Sequence, residues 1–210
     1  MIIDLSQSIN SETKMFPGSP QVAFLKWAKY DIDGYDLETM FLSTHTGTHM
    51  DAPSHFVKDG DSVDKLDINR FFMKNAYLFN IPKKSNELIT VNDIQNIGVD
   101  INEGDTLIFS TGWENKIDSK SYVTTNPGLS KEAAIYLSFK KINAVGIDGP
   151  SIDAGNNNFT VHEILLKNNI IIIENLCNLN KIDKENFIFI ACPLKLSNAT
   201  GSPIRALAMI

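Results

Sequence analysis

Residues 170–174 read IIIIE, and this short stretch says the most about the fold. The run of isoleucines, Ile170–Ile173, is typical of a strand that is buried on both faces. Glu174 ends the run, and a buried carboxylate is costly unless it is paired or binds a metal ion. Exposure to solvent at the strand end is the ordinary alternative for a glutamate. The stretch therefore predicts a buried strand that ends in a candidate metal ligand.

Strand patterns outnumber helix patterns on either side of this run. Apolar or alternating segments predict strands over residues 2–5, 21–27, 35–44, 76–81, 106–110, 144–147, 187–191 and 205–210. Several of these segments are apolar throughout, which favours strands in the middle of a sheet. We therefore expect an α/β protein with a central mixed sheet or a partly closed barrel.

Helix signals are fewer and depend on capping residues. They predict helices within residues 62–72, from Thr90, and from Ser130 through residue 140. Residues 160–163 fit a capping box, in which the first and fourth side chains satisfy backbone amides at the start of a helix. This box would place His162 in the first helical turn.

The composition favours one soluble domain that binds neither nucleic acid nor membranes. The 210 residues are 43% hydrophobic and 21% charged, so one domain over residues 1–210 is the default. The net charge of −6 offers no basic surface for nucleic acid, and no apolar run is long enough to span a membrane. Residues 1–10 lack a signal-peptide pattern, so we expect a cytoplasmic location. Cys177 and Cys192 are expected to be buried free thiols.

Three of the four histidines lie in residues 45–55, which read HTGTHMDAPSH. Asp51 follows His45 and His49, and imidazole and carboxylate are the usual ligands of zinc and of harder first-row metals. A glycine between the two histidines disfavours a regular helix, so a tight loop leaving a strand would bring the rings together. The ordinary alternative is a chance grouping on a polar loop, and His55 alone has the weakest case for a ligand role.

The remaining histidine, His162, precedes Glu174, so both histidine segments have a carboxylate beside them. Asp51 has two oxygens and could bridge two cations, while His162 and Glu174 would complete the second site. This arrangement predicts a hydrolytic metal site that accepts zinc or manganese. A structural zinc site is disfavoured, because such sites are usually closed by four protein ligands and rich in cysteine.

The segment 45–55 also fits the motif H-x-G-T-H-x-D-x-P-x-H at every fixed position. With this motif the chain resembles the cyclase family of metal-dependent hydrolases, and the resemblance extends over nearly the whole chain. The further matches are Phe16-Pro17-Gly18, Thr111-Gly112-Trp113, residues 146–153 (GIDGPSID), His162 with Glu174-Asn175-Leu176, and Gly201-Ser202-Pro203-Ile204-Arg205.

The resemblance implies a fold, an assembly and a role for each candidate residue. It implies a swivelling β/β/α-type fold, a homodimer or homotetramer, and active sites partly lined by a neighbouring subunit. It implies two divalent ions per subunit, and His55 would be the catalytic general acid/base. The implied ligands are His45, His49 and Asp51 for the first ion, and Asp51, His162 and Glu174 for the second.

The resemblance also implies a reaction on a small-molecule substrate. A metal-activated water would cleave an amide as an arylformamidase does, converting N-formylkynurenine to kynurenine and formate. Glu163 stands where kynurenine formamidases often have a second histidine, so the substrate stays open. The alternatives are hydrolysis of a cyclic amide, imide or lactone, as in isatin hydrolase, and a lyase or dehydratase reaction. Phe16, Phe56 and Trp113 are candidates to line an apolar substrate pocket.

Overall fold

A mixed sheet forms the centre of the protein, and the strand that ends at Glu174 lies within it. The fold is described from a computed structural model, for residues 1–155 and 158–210. The strands are β1 (Ile2–Asp4), β2 (Ala23–Ala28), β3 (Leu37–Phe41), β4 (His49–Asp51), β5 (Phe72–Asn80), β6 (Leu88–Ile89), β7 (Thr106–Ser110), β8 (Gly128–Leu129), β9 (Ala144–Ile147), β10 (Ile171–Glu174), β11 (Asn186–Ile190), β12 (Gly201–Pro203) and β13 (Leu207–Met209). The α-helices are α1 (Tyr30–Asp33), α2 (Val91–Gln95), α3 (Lys131–Lys140) and α4 (Thr160–Lys167).

Within the described residues, nine strands pair in the order β1-β13-β11-β5-β7-β9-β10-β4-β12. The neighbours β5, β7, β9 and β10 run parallel, and the strands on either side of this group pair antiparallel. Ile172 of β10 belongs to one apolar core, while Ile171 and Ile173 belong to the other. The strand is therefore buried on both faces, and the predicted α/β protein with a central mixed sheet is confirmed.

The sheet is curled, so that distant strands meet at one end. Ser6, just beyond β1 at one edge, forms an isolated bridge with Leu176, just beyond β10 near the other edge. Such a bridge between strands far apart in the sheet order requires the sheet to bend back on itself. The result is a half-barrel, as the expectation of a partly closed barrel implied.

Helices α2, α3 and α4 pack on one face of the sheet and cover one of the two cores, whereas α1 has no buried residue. That core contains Leu137 from α3, Leu165 from α4 and Ile172 from β10. The predicted start of α3 is confirmed, because the Ser130 hydroxyl accepts a hydrogen bond of 3.1 Å from the Ala133 amide. At the start of α2, the side chains of Thr90 and Asp93 each accept a hydrogen bond from the other residue's backbone amide. This is a complete capping box, as the sequence predicts.

Two helix predictions are wrong in detail. Residues 62–72 form two short 3-10 turns, Val63–Lys65 and Ile68–Phe71, because the backbone between them is extended and the Asp67 side chain starts the second turn. At α4, His162 lies in the first turn as predicted, but the capping box is absent: the preceding residue is Phe159, and the Thr160 hydroxyl donates to Asn158 instead.

The two cysteines differ in their exposure to solvent. Neither cysteine forms a disulfide; Cys177 is half-buried, whereas Cys192 is exposed, so the expectation that both are buried is wrong.

Among the described residues, no helix combines the length and the apolar character needed to cross a membrane. That residues 1–210 form one domain stays a prediction.

Candidate metal centre

The candidate ligands meet where β4 lies antiparallel to β10. In this pairing His49 lies opposite Glu174, and Asp51 lies opposite Ile172. Since side chains alternate along a strand, His49 and Asp51 point to one face of β4 while Met50 between them enters the core on the other. The sheet register therefore brings ligands from two distant parts of the sequence onto one surface. His49 and Asp51 lie within a strand, whereas the sequence favoured a loop for this segment.

The turn before β4 directs the two imidazoles toward that surface. Gly47 adopts a positive φ of 60°, a conformation that glycine enters without steric cost. Its carbonyl accepts a hydrogen bond of 2.9 Å from Nδ1 of His49, which leaves Nε2 facing the carboxylates. The glycine does what the sequence suggested: it folds the backbone so that His45 and His49 converge on Asp51.

The first group of candidate ligands is His45, His49 and Asp51. Nδ1 of His45 lies 2.8 Å from Oδ1 of Asp51, and Nε2 of His49 lies 3.5 Å from the same oxygen. The other ring nitrogen of His45 lies 2.9 Å from the hydroxyl of Thr200. One oxygen of Asp51 is therefore shared between two imidazoles.

The second group uses the other oxygen of Asp51 together with His162 and Glu174. Nε2 of His162 lies 3.4 Å from Oδ2 of Asp51 and 3.1 Å from Oε1 of Glu174. His49 connects the two groups, because its Nε2 also lies 3.4 Å from Oε2 of Glu174. In each group, one atom from every residue lies within 4.8 Å of the others, which is close enough for all three to contact one cation.

Burial and unsatisfied polar atoms support a cation at this position. Asp51 and Glu174 are only 1% and 4% exposed, so the ordinary expectation of an exposed Glu174 does not hold. Oδ2 of Asp51 is buried and accepts no hydrogen bond in the structure. A buried carboxylate oxygen without a partner is costly, and a divalent cation would satisfy it. The imidazole and carboxylate ligands present therefore fit zinc or manganese.

His55 lies beside the ligand groups and belongs to neither of them. Its ring stacks on His45 at a centroid distance of 4.0 Å, at the end of a 3-10 turn that starts at Pro53. Burial disfavours the charged imidazolium and lowers the pKa of His55 to about 4. At neutral pH the side chain is therefore an uncharged imidazole that can accept a proton.

A cavity of about 200 Å³ opens above the ligands and has an aromatic wall. Phe16 and Phe56 line it, and Phe159, which the sequence did not point to, lies between them at ring-centroid distances of 5.7 and 5.6 Å. Phe159 has a positive φ of 61°, which is unusual for a bulky residue. Its place just before the helix that bears His162 is the sequence signal that could have identified it.

The placement of Trp113 in this cavity is corrected by the structure. Trp113 is 6% exposed, and its indole N–H donates a hydrogen bond of 2.9 Å to the carbonyl of Tyr122. Its backbone amide donates to the buried carboxylate of Asp148 at 2.9 Å. These bonds hold the ring in the protein interior, so Trp113 contributes to packing beneath the site and does not line the cavity.

Three further side chains, which were not proposed as site residues from the sequence, support the candidate ligands, two by direct contact and one through the Gly47 carbonyl. Thr200 bonds His45; Asp153 contacts Nδ1 of His162 at 2.6 Å; and Asn175 donates at 3.0 Å to the Gly47 carbonyl that also holds His49. Asp153 and Asn175 fall within family motifs that the sequence displays, but their contacts depend on residues far away in the chain.

The chain matches known proteins along nearly all of its length. The family model described as "Putative cyclase" matches residues 3–154. A kynurenine formamidase from Bacillus mycoides (strain KBAB4) is 32% identical over 207 residues, which cover 97% of this chain and 95% of that protein.

Solved structures agree with this match. An isatin hydrolase bound to the product analogue thioisatinate superposes with a TM-score of 0.91 at 28% identity, covering all of this chain and 92% of the other. A predicted metal-dependent hydrolase from Bacillus stearothermophilus superposes with a TM-score of 0.83 at 27% identity, covering 99% of this chain and 97% of the other.

Proposed function

The chain belongs to the cyclase family, and from this membership we propose that it is a metal-dependent hydrolase that cleaves the C–N bond of an aryl formamide. N-formylkynurenine is the first candidate substrate, because the Bacillus mycoides relative named above is a kynurenine formamidase. The observation that carries the proposal is the position of Asp51, whose two oxygens face two groups of ligands at the base of an aromatic cavity.

The ligand set proposed for the metal follows the two groups in the structure. His45, His49 and Asp51 would hold one divalent ion, zinc or manganese, and Asp51, His162 and Glu174 would hold a second. When bound, such ions polarise a carbonyl and lower the pKa of water. The protein contributes His49, Asp51 and Glu174 from the paired strands β4 and β10, His45 from the preceding turn and His162 from α4.

His55 is the proposed acid/base residue. Its uncharged imidazole would accept the proton of the attacking water while the water oxygen bonds to the formyl carbon. The C–N bond then breaks, and His55 returns the proton to the leaving nitrogen. The products are a free arylamine and formic acid, which releases one proton to solvent as it ionises to formate, so atoms and protons balance without any co-reactant.

The aromatic side chains that line the cavity favour a substrate that carries an aryl group. Phe16, Phe56 and Phe159 form a continuous series of tilted ring contacts, and Phe56 and Phe159 both reach the ring of His162. Planar rings bind well against such surfaces, and the gain is about 0.5–1.5 kcal/mol for each favourable pair. An aryl ring on this wall would place its amide group next to the ligands.

A cyclic amide such as isatin is the second candidate substrate. The structural match to an isatin hydrolase is close, with a TM-score of 0.91, and it covers the entire chain. In a cyclic amide the amine and the new carboxylate stay in one molecule. Product analysis therefore separates the two candidates, because only the formamide releases formate.

We also propose that the protein acts in the cytoplasm as a homodimer or homotetramer, without nucleic acid or membrane partners. The hairpin β2–β3 exposes Leu25, Trp27, Met40 and Phe41 to solvent, with exposures of 59–73%. An isolated two-stranded hairpin is marginally stable, and exposed apolar area on this scale favours contact with a second subunit. Light scattering on the purified protein tests the assembly.

The test of the function is a paired assay on the purified protein. N-formylkynurenine and isatin are supplied in turn, products are separated by chromatography, and metal content is measured on the same sample. We expect turnover that a chelator abolishes and zinc or manganese restores. Bound metal without turnover of either compound would overturn the proposed substrate class. Absence of metal after reconstitution would overturn the hydrolase proposal itself.

A further inference from the structure

Two consecutive residues, Ile152 and Asp153, contact both of the ligands that complete the second group around Asp51. The amide of Ile152 donates a hydrogen bond of 2.7 Å to Oε1 of Glu174. Oδ2 of Asp153 lies 2.6 Å from Nδ1 of His162. Both residues are buried, with exposures of 0% and 2%. One turn of the chain thus supplies a donor to the carboxylate ligand and an acceptor to the imidazole ligand.

Asp153 also holds the start of the helix that bears His162. Its two oxygens accept hydrogen bonds of 3.0 Å from the backbone amides of Val161 and His162. The residue before this helix, Phe159, provides no side-chain cap, so the Asp153 carboxylate satisfies amides that the helix itself leaves unbonded. A single carboxylate therefore bonds both the backbone and the ring of His162.

This double contact determines which nitrogen of His162 faces the other ligands. A proton on Nδ1 that is donated to Asp153 leaves the lone pair of Nε2 directed at Asp51 and Glu174, which lie 3.4 and 3.1 Å away. We propose that Asp153 is a positioning residue that fixes the ring orientation and the tautomer of His162 for the cation held by Asp51, His162 and Glu174. The inference rests on the proposed function only in requiring a cation at this place.

Asp148 offers a matched control within the same segment. It is fully buried, and its carboxylate accepts hydrogen bonds from the amide and hydroxyl of Thr111 and from the amide of Trp113. Among the described residues, none of its hydrogen-bond partners is a candidate metal ligand. Replacement of Asp148 therefore measures the general cost of removing a buried carboxylate near the site.

The experiment compares Asp153→Asn and Asp148→Asn with the wild-type chain. Asparagine keeps the size of aspartate but lacks its negative charge, so the hydrogen bond from Nδ1 of His162 is weakened, and only one of the two backbone amides of Val161 and His162 keeps its acceptor. Zinc binding is measured by titration against a chromophoric chelator. The side-chain protons of the four histidines are followed in nitrogen-15 NMR spectra of the zinc-loaded proteins.

We expect Asp153→Asn to weaken one zinc-binding step by about 10–100-fold, the usual effect of losing such a carboxylate partner. The Nδ1 proton of His162 should also exchange faster with water in this variant than in the wild type. Asp148→Asn should leave both readouts close to those of the wild type. Wild-type zinc affinity in Asp153→Asn, or an equal loss in Asp148→Asn, would overturn the inference.

The role of Asp153 can still be tested if Asp153→Asn does not fold. The wild-type spectrum alone must then show His162 with its proton on Nδ1, and a proton on Nε2 in the zinc-free protein at alkaline pH would overturn the inference. Zinc binding without hydrolysis of any substrate would overturn the proposed function and leave the role of Asp153 intact. The two failures are therefore distinguishable.

Discussion

A Cβ atom on Gly201 would lie 2.5 Å from Cε1 of the His45 imidazole. The same atom would lie 2.7 Å from the carbonyl oxygen of Met50, so it could not move away from the ring without striking backbone. Gly201 belongs to β12, and its backbone is held in place because β12 pairs with β4 at Asp51. The absence of a side chain at residue 201 is therefore what allows the His45 ring to reach Asp51.

Gly201→Ala should displace the His45 ring and disturb the first ligand group. We expect the free energy of unfolding to fall by about 1–3 kcal/mol, as for other overpacked positions. Zinc affinity should fall by about ten-fold or more, because one ligand no longer points at Asp51. Urea denaturation and zinc titration measure the two effects. Gly149→Ala is the control, since its Cβ would meet no atom closer than 3.6 Å, and an equal effect there would contradict the explanation.

The two oxygens of Asp51 lead to a prediction about metal stoichiometry. Asp51→Asn should remove both cations, because Asp51 belongs to both ligand groups, whereas Glu174→Gln should remove only one. Both changes keep the size of the side chain and remove one negative charge. Elemental analysis after dialysis gives the number of ions per chain. Retention of two ions by Asp51→Asn would show that this carboxylate is not shared.

His55→Ala should separate catalysis from metal binding. His55 stacks on His45 but belongs to neither ligand group, so the metal content of the variant should equal that of the wild type. If His55 transfers the proton, kcat should fall by about 10²–10⁴-fold, the usual contribution of a general acid/base. Steady-state kinetics on whichever substrate is accepted gives the result. Unchanged kcat would remove His55 from the mechanism.

Phe159→Ala tests whether the aromatic wall selects aryl substrates. Loss of one aromatic pair, worth about 0.5–1.5 kcal/mol, should raise KM for formanilide about two- to ten-fold. KM for N-ethylformamide, which has no ring, should stay the same. Phe139→Ala is the control, because Phe139 is 83% exposed on α3 and does not line the cavity. An equal rise in KM for both formamides would show that the substitution disturbs the whole site and not only the binding of the ring.

The two cysteines should differ strongly in reactivity. Burial raises the pKa of the Cys177 thiol to about 11, so at pH 8 only about one molecule in 10³ carries the reactive thiolate. Cys192 is exposed. Iodoacetamide at pH 8 should therefore label Cys192 first, and labelling of Cys177 should accelerate about ten-fold per pH unit toward pH 11. Peptide mass spectrometry reads out both sites, and the variant Cys192→Ser should lose the rapid label.

Much of the fold was predictable because its strands have strong local signals. The isoleucine run, the apolar segments of β7 and β9, and the capping residues of α2 and α3 all gave elements at the predicted places. A predicted helix start was wrong where a residue far away in the sequence, and not a neighbouring one, accepts the hydrogen bonds of the backbone amides. The start of α4 looked like a capping box, but Asp153 satisfies its amides across a turn, and Thr160 bonds elsewhere.

The sequence by itself determined the kind of chemistry and the residues available for it. All four histidines and two carboxylates fall in two short segments, and the spacing in residues 45–55 identifies the family. Local spacing carries this information because metal ligands must be specific residue types.

Only the tertiary structure decided how those residues meet. The register of β4 on β10 places His49 opposite Glu174, and Phe159 lines the cavity whereas Trp113 does not. Asp153, Thr200 and Gly201 lie against candidate ligands, and Asn175 bonds the carbonyl that holds His49, all through contacts between distant segments. Strand pairing and packing depend on residues far apart in the chain, so no local pattern could have revealed them.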